Sequence, residues 1–358
     1  MNYEKKKDDK KKKQALVPQD KREQEKKLCC IANAWRNKDL RHEQQLMFVL
    51  SKRSAVVPCY YPIEAYRSVK GRDPETGKWP LTFKKNDGLW PVTIACGQCI
   101  GCRLERSRKW AMRCVHEAQM HEQNCFITLT YNDEHLSYIT NMETGELTST
   151  LVKRDWQLFM KRLRKEYVGI KIRFYMAGEY GEKSLRPHYH ACIFGFDFPD
   201  KKLFSIVHGG HKIYVSESLS KIWGKGFCTI GDLNFQTAAY VARYIMKKQT
   251  GYSAAEHYNG RTPEFTLMSR ADGIGKEWIE KYHGDVYPHD ILVINKKVTT
   301  QPPKYYDRFM EKEHPDIICE VYEQRRLRIK KMPKLSADRL YQKMQCKIKQ
   351  ISKLKRSI

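Results

Sequence analysis

Two histidines, His188 and His190, carry the clearest chemical signal in this 358-residue sequence. They lie in the segment Arg186-Pro-His-Tyr-His-Ala-Cys-Ile-Phe194, whose apolar second half predicts a strand that runs into a core. Side chains two residues apart on a strand point to the same face, so both imidazoles are directed at one place. Two convergent imidazoles form half of a metal site. A surface strand that carries two histidines is the alternative interpretation of this motif taken alone.

A carboxylate is predicted close to this histidine pair. The segment Lys171-Ile-Arg-Phe-Tyr-Met-Ala177 predicts a strand, and Glu179 follows at its end. If this strand pairs with the histidine strand as a hairpin, the Glu179 carboxylate reaches both imidazoles; otherwise it is an ordinary surface acid. Two nitrogens and a carboxylate with open positions suit Mg²⁺ or Mn²⁺ in phosphate chemistry.

Two tyrosines and a lysine share one face of a predicted helix. Residues 238–248 repeat small and apolar side chains at i, i+3, i+4 and i+7, which predicts one apolar helical face. At about 100° per residue, Tyr240, Tyr244 and Lys247 then share the opposite face. Tyrosines that cover the edge of a core are the alternative to a functional pair.

A cysteine-rich segment predicts a second kind of metal site. Cys96, Cys99 and Cys102 are spaced so that three thiolates converge on one tetrahedral ion, and the glycines between them allow a tight turn. Either Cys59 or Cys114 would supply a fourth thiolate. Structural Zn²⁺ and free thiols are both compatible with this pattern.

The elements that must position these residues predict an α+β fold, a central antiparallel sheet with packed helices. Strands at Phe126–Tyr131, Ile172–Ala177 and Tyr189–Phe196 are expected in the centre of the sheet. An amphipathic helix at Leu151–Tyr167 covers one face. The helix that contains Tyr240 is expected to bring its phenols to the histidines.

Composition divides the chain into four predicted parts. Residues 1–50 form a basic, disordered N-terminal tail, and residues 51–120 form the cysteine-containing segment and a basic helix. Residues 121–320 form the main α+β domain, and residues 321–358 form a basic C-terminal helix or tail.

The net charge favours a polyanionic partner. The chain has 67 Lys and Arg against 41 Asp and Glu, a formal charge of +26, and nucleic acid is the commonest partner of such an excess. The sequence has no apolar run that would span a bilayer and no signal-peptide core, so we expect a cytosolic protein without a membrane partner. In a reducing compartment, the 12 cysteines are better explained as thiols or metal ligands than as disulfides.

The order of the motifs resembles that of the HUH endonucleases, the metal-dependent tyrosine nucleases that start rolling-circle replication. Phe126-Ile-Thr-Leu-Thr130 looks like their first motif and Pro187-His-Tyr-His190 like their second. The segment from Tyr240 to Lys248 looks like their third motif in its two-tyrosine form. The combination is more specific than any single motif.

A narrower resemblance covers roughly residues 55–310. Cys96–Arg103, Ala238–Lys247 and Pro302–Asp307 are similar to segments of the replication initiators of gokushoviruses, a branch of the microviruses, which are single-stranded DNA phages.

The resemblance implies that residues 121–320 are an HUH endonuclease domain. It implies these roles: His188, His190 and Glu179 bind Mg²⁺ or Mn²⁺, Tyr240 and Tyr244 are nucleophiles, and Lys247 stabilises charge at the scissile phosphate. The implied reaction nicks single-stranded origin DNA, leaves a 5′-phosphotyrosine and a 3′-OH primer, and later rejoins the strand. The implied setting is the cytoplasm of a host bacterium, with a host DNA polymerase. A host helicase is also implied, because the sequence has no Gly-x-x-x-x-Gly-Lys-Ser/Thr loop.

Three other functions share part of this pattern. An HUH transposase or relaxase would use the same chemistry in different biology. A non-haem iron oxygenase also uses two histidines and a carboxylate, but it explains neither the tyrosine helix nor the charge. A non-catalytic, zinc-containing nucleic-acid-binding protein explains the charge and the cysteines but gives the histidines and tyrosines no role.

Overall fold

A computed structural model describes residues 59–352, apart from residues 69–72, 74–79, 87–88, 142–143, 182–183, 208–209, 244–247, 249–252, 296–297, 332 and 334. The tail predicted at residues 1–50 lies outside the described residues, as do Tyr244 and Lys247. The chain divides into two units: residues 64–93 belong to the smaller one, and residues 54–63 and 94–358 form the larger one. The four-part division by composition stays a prediction.

Fourteen strands are found in the described residues. In chain order they are β1 (Ile63–Ser68), β2 (Leu81–Thr82), β3 (Leu89–Ile94), β4 (Asn124–Thr130), β5 (Tyr138–Thr140), β6 (Leu147–Ser149), β7 (Arg173–Tyr180), β8 (Pro187–Phe194), β9 (Lys202–Val207), β10 (His211–Val215), β11 (Cys228–Gly231), β12 (Phe265–Met268), β13 (Leu292–Asn295) and β14 (Val298–Thr300).

Nine α-helices are found in the same residues. They are α1 (Ile100–Ala118), α2 (Lys153–Glu166), α3 (Glu217–Trp223), α4 (Phe235–Arg243), α5 (Ser253–Tyr258), α6 (Lys276–Val286), α7 (Lys304–Glu313), α8 (Pro315–Lys331) and α9 (Ala337–Ser352). Within the described residues, none of these helices has the length and apolar character that a membrane span requires.

A seven-stranded sheet organises the larger unit. Its strand order is β12-β7-β8-β4-β11-β10-β9, and every neighbouring pair is antiparallel. The three strands predicted for the centre of the sheet, β4, β7 and β8, are adjacent to one another. The α+β prediction is therefore confirmed. The smaller unit is built around a three-stranded sheet in the order β2-β1-β3.

The alternation of side chains along β8 assigns each face of the sheet to a different core. Tyr189, Ala191 and Ile193 are fully buried in a core that also contains Trp156 and Phe159 of α2. This burial explains the amphipathic pattern of α2, which matches the predicted helix to within two residues at its start and one at its end.

The opposite face of the sheet carries the histidines and is covered by α1 and α4. Cys192 and Phe194 of β8 pack there with Ala111 of α1 and with Ala238 and Val241 of α4. Small residues on both helices let them lie close together, and the Ser107 hydroxyl donates to the Ala239 carbonyl at 3.4 Å. The helix that was predicted to carry the tyrosines therefore lies on the histidine face.

One strand of the sheet escaped prediction. Residues 265–268, a run of only four residues, pair with β7 and form the edge of the sheet as β12. Such a short apolar run is compatible with a strand or with a buried piece of helix, and periodicity does not distinguish them.

Candidate active site

The register of three strands brings the candidate metal ligands together. Glu179 of β7 lies directly opposite His188 of β8, and His190 lies opposite Ala177 on one side and Thr128 of β4 on the other. Directly opposed residues in an antiparallel pair project to the same face of a sheet. The predicted hairpin thus places the carboxylate of Glu179 beside both imidazoles.

The distances between the polar atoms are short. Glu179 Oε1 lies 2.7 Å from His188 Nε2 and 3.1 Å from His190 Nε2. The two imidazole rings are nearly perpendicular, with their centroids 4.8 Å apart. One carboxylate oxygen therefore faces both Nε2 atoms across a small space.

Hydrogen bonds at the far side of each imidazole fix its orientation. His188 Nδ1 lies 3.0 Å from the Arg186 carbonyl oxygen, which only accepts, so Nδ1 carries the proton. His190 Nδ1 lies 2.9 Å from the hydroxyl of Thr128. Partners of this kind orient metal-binding histidines and make the opposite nitrogen available.

Burial and charge act in opposite directions on Glu179. Only 2% of this residue is exposed, and burial raises the pKa of its carboxyl group. Hydrogen bonds and charge from His188 and His190 outweigh burial and hold that pKa well below its usual range. The group is therefore a carboxylate near neutral pH, as a ligand to a cation must be.

The donor set fits a divalent cation. The ligand atoms of Glu179, His188 and His190 all lie within 4.8 Å of one another. Two imidazole nitrogens and one carboxylate oxygen leave further positions for water or phosphate oxygens. His188, which is only half-buried, lies on the open side of the group. These three residues would hold the Mg²⁺ or Mn²⁺ expected from the sequence.

Tyr240 of α4 lies beside the imidazoles. Its ring contacts the His190 ring edge to face, with centroids 5.1 Å apart, and it contacts the Phe126 ring in the same way at 6.3 Å. Ala238 and Val241, on neighbouring turns of the helix, are fully buried against the sheet. Packing of the small residues thus brings the phenol to the metal-binding group.

The position of Tyr240 differs in one respect from the helical-face prediction. Its ring is half-buried at the edge of the core formed by α1, α4 and the sheet, and it does not point away from the sheet. A long aromatic side chain between two helical faces reaches back to the sheet because the helix lies close to it. Tyr244 and Lys247 lie outside the described residues.

Thr128 and Phe126 were not predicted to belong to the site. Both lie on β4, where Thr128 is hydrogen-bonded to His190 and the Phe126 ring stacks on the His190 ring with centroids 5.8 Å apart. The signal in the sequence is the alternation of residues 126, 128 and 130, which predicts one shared face for the three. Their pairing with β8 follows only from the sheet register.

The cysteines form a separate group. The sulfur atoms of Cys59, Cys96, Cys99 and Cys102 lie within 4.8 Å of one another. Cys114, the other candidate for a fourth thiolate, is instead buried between α1 and the sheet.

Comparisons with known proteins place the chain among viral replication proteins. A family profile for replication-associated proteins of the ORF2 type matches residues 124–249, the segment that contains Thr128, Glu179, both histidines and Tyr240. Replication-associated protein VP4 of Bdellovibrio phage phiMH2K is 32% identical over 282 residues, which are 76% of this chain and 84% of that protein. Replication-associated protein ORF2 of Spiroplasma virus 4 is 34% identical over 235 residues, 63% of this chain and 69% of that protein.

A third relative matches a shorter stretch. Replication-associated protein ORF4 of Chlamydia phage 1 is 31% identical over 162 residues, 43% of this chain and 38% of that protein. No solved structure matches the chain. Because two relatives above 30% identity are covered over more than two thirds of their length, the chain belongs to the family of replication-associated proteins of microvirus-like single-stranded DNA phages.

Proposed function

We propose that this chain starts rolling-circle replication of a phage genome by nicking single-stranded origin DNA through metal-dependent tyrosine transesterification. The observation that carries the proposal is the contact between the Tyr240 ring and His190, an imidazole whose Nε2 faces the Glu179 carboxylate. A phenol beside two imidazoles and a carboxylate is not needed for DNA binding alone, and it has no evident role in an oxygenase.

The chemistry of the residues agrees with this role. A phenol with a pKa near 10 is a weak nucleophile at neutral pH. A divalent cation held by Glu179, His188 and His190 would polarise the scissile phosphate and neutralise the developing charge. The residues themselves hold and orient: Thr128 and the Arg186 carbonyl fix the imidazoles, and α4 fixes the phenol.

The proposed step exchanges one phosphodiester for another. The Tyr240 or Tyr244 oxygen attacks phosphorus, the bond from phosphorus to the 3′-oxygen breaks, and the proton lost by the phenol is balanced by one gained at the 3′-oxygen. The products are a 5′-phosphotyrosine and a free 3′-OH. The second tyrosine would cleave the regenerated origin after one round of synthesis, so that the first link accepts the new 3′-OH and a circle is released.

The partners of this reaction are proposed from its products. The 3′-OH would prime a host DNA polymerase, a host helicase would separate the strands, and the reaction would take place in the host cytoplasm. An HUH transposase or relaxase would use the same residues, but the three named relatives are all replication-associated proteins, which favours replication.

The test uses single-stranded origin DNA labelled at its 5′ end or at its 3′ end, with Mn²⁺, on a denaturing gel. A shifted band that carries only the 3′-labelled DNA is expected, because the protein would stay on the 5′ phosphate of the downstream strand. The band should be absent in EDTA, whereas DNA binding should persist there.

A matched pair of variants ties the band to the site. Glu179→Gln keeps the size of the side chain and removes its charge, and it should abolish the shifted band. Glu146→Gln, on an exposed residue, should leave it unchanged. If DNA binds and no adduct forms with any divalent ion, the proposal is wrong and the non-catalytic binding protein is favoured.

A further inference from the structure

Four cysteine sulfurs converge at a place away from the histidines. The thiols of Cys59, Cys96, Cys99 and Cys102 lie within 4.8 Å of one another, and the Cys96 and Cys102 sulfurs are 4.0 Å apart. A tetrahedral zinc site with bonds of about 2.3 Å separates its sulfurs by about 3.8 Å. The observed spacing therefore needs only a small contraction around one ion.

Backbone N–H groups point at these sulfurs. The Cys96 N–H donates to Cys59 Sγ at 3.2 Å, the Cys99 N–H donates to Cys96 Sγ at 3.3 Å, and the Tyr60 N–H donates to Cys99 Sγ at 3.3 Å. Donors directed at sulfur favour the charged thiolate, which is the form that binds metal. A disulfide would join the sulfurs in pairs and give no reason for all four to surround one point.

The group links two distant parts of the chain. Cys59 comes from residues 54–63, whereas Cys96 lies 37 positions later, and the residues 64–93 between them belong to the smaller unit. Cys99 is the N-cap residue of α1 without a side-chain cap bond, and Cys102 lies in the first turn of that helix. An ion at this place would fix the start of α1.

The remainder of α1 packs on the tyrosine helix. Ala111 of α1 shares a buried cluster with Ala238 and Val241 of α4, and Ser107 is hydrogen-bonded to the carbonyl of Ala239. Tyr240 is the next residue in the chain. The start of α1 and the placement of the phenol are therefore connected through one packed interface.

We propose that Cys59, Cys96, Cys99 and Cys102 bind one Zn²⁺ in a tetrahedral site, and that this ion fixes α1 as the support on which α4 holds Tyr240. The first half of the proposal concerns metal content alone. The second half, a positioning role, rests on the proposed nuclease function.

Metal analysis of the purified full-length protein tests the first half. In a His188→Ala/His190→Ala background, which removes the other candidate ligands, one zinc per chain is expected by elemental mass spectrometry. Cys99→Ser should lose that zinc. Cys114→Ala changes a buried thiol outside the group and should keep it. Cys59→His should also keep it, because imidazole replaces thiolate in zinc sites.

A measurement on the same histidine-free background with all cysteines intact does not depend on the folding of a cysteine variant. Replacement of zinc by Co²⁺ should give the tetrahedral visible bands and the intense thiolate-to-cobalt absorption of a four-thiolate site. A metal-free protein with four reactive thiols, an iron site, a disulfide within the group, or zinc that survives Cys99→Ser would each overturn the proposal.

The positioning role is tested by the rate of adduct formation and by Mn²⁺ binding, measured by electron paramagnetic resonance. Cys59→Ser should slow adduct formation at least tenfold without weakening Mn²⁺ binding at the histidines, and Cys59→His should restore the rate. Equal rates in wild type and Cys59→Ser would overturn the positioning role but not the zinc site. If wild type forms no adduct, the nuclease proposal fails while the zinc measurement still stands.

Discussion

Each imidazole of the candidate site is oriented by the nitrogen that faces away from Glu179. The Arg186 carbonyl sets His188, and the hydroxyl of Thr128 sets His190. A ring that turned about its side-chain bonds would no longer direct Nε2 at the carboxylate. The residues that touch a cation are therefore only part of what determines its affinity.

Replacing Thr128 with valine should weaken the site without removing a ligand. Thr128→Val keeps the shape of the side chain and removes the partner of His190 Nδ1, so Mn²⁺ affinity or nicking should fall by about 10–100-fold. Titration with Mn²⁺ measures the loss. Thr229→Val, on the neighbouring strand opposite Thr128, is the matched control and should have little effect. Equal losses in the two variants would mean that the hydroxyl of Thr128 does not orient His190.

A buried histidine outside the site makes stability depend on pH. His116 of α1 is 4% exposed, its Nδ1 lies 2.8 Å from the Tyr306 hydroxyl, and burial lowers its pKa to about 3. The pKa of an unfolded histidine is about 6.5. The unfolded chain therefore binds a proton below about pH 6.5 that the folded chain refuses, so stability falls as pH decreases from about 6.5 towards 3.

The variant His116→Gln should make stability less dependent on pH. Between pH 7 and pH 5, its free energy of unfolding should fall by about 2 kcal/mol less than that of wild type. Urea unfolding at both pH values measures this difference. His289→Gln, at an exposed position, should retain the wild-type dependence. An unchanged dependence in His116→Gln would show that His116 takes up a proton in the folded state.

At the scale of elements, β8 is held from behind by α2. Tyr189, between the two histidines, projects to the opposite face, where its hydroxyl donates to the Val152 carbonyl at 2.8 Å and accepts from the Val152 N–H at 3.2 Å. The Tyr131 hydroxyl lies 2.7 Å from that of Tyr189, and it donates to Asp155 of α2. This buried network fixes the strand that carries the site.

Removal of one hydroxyl group should loosen this arrangement. Tyr189→Phe leaves the N–H and carbonyl of Val152 without their partner, and it should lower the free energy of unfolding by about 1–3 kcal/mol. Urea unfolding measures the change. Tyr138→Phe, at a residue that is 52% exposed, should change it by less than about 0.5 kcal/mol. Similar stabilities for the two variants would contradict a structural role for the network.

The central strands and the amphipathic helix were predictable because their patterns are strong. Alternation predicted that His188 and His190 share a face, and the structure has them there. The register was not predictable in the same way. A slip of one residue would send Glu179 to the opposite face, and the loop between β7 and β8 permits more than one register from sequence alone.

That register depends on tertiary contacts. Gly181 N–H donates to the Arg186 carbonyl at 3.0 Å, and Leu185 N–H donates to the Gly181 carbonyl at 3.1 Å. Leu185 adopts the left-handed conformation, with φ of 52°, which a non-glycine residue rarely adopts. Sequence reasoning also left the choice between Cys59 and Cys114 open, because Cys59 is far from Cys96 in the chain and spacing says nothing about contacts over that distance.

At the scale of the whole molecule, the charge of +26 dominates any encounter with DNA. One place where charge and an aromatic ring meet is a groove beside α9 that is lined by Tyr60, Arg339, Lys343 and Lys347. The three basic residues recur every four positions, so they form one row along the helix. A row of positive charge next to a tyrosine suits the backbone and bases of a single strand.

The salt dependence of DNA binding should locate this surface. For single strands, each phosphate contact contributes about 0.7 to the slope of log affinity against log salt. Lys343→Gln/Lys347→Gln should reduce that slope by about 1.4, measured by fluorescence anisotropy. Lys161→Gln/Lys165→Gln removes the same charge from the exposed side of α2 and should reduce it less. Equal reductions would mean that net charge, not the groove, sets the affinity.

Tyrosine transesterification is tested most directly by identifying the residue that is linked to DNA. Trypsin cleaves after Arg243, so Tyr240 falls in the peptide Gly226–Arg243 and Tyr244 in the peptide Tyr244–Lys247, and neither peptide contains another tyrosine. After the adduct is trimmed with nuclease, mass spectrometry should find a residual nucleotide on one of these two peptides. The modification should disappear in Tyr240→Phe/Tyr244→Phe. An adduct on any other residue, or an adduct that persists in the double variant, would contradict this mechanism.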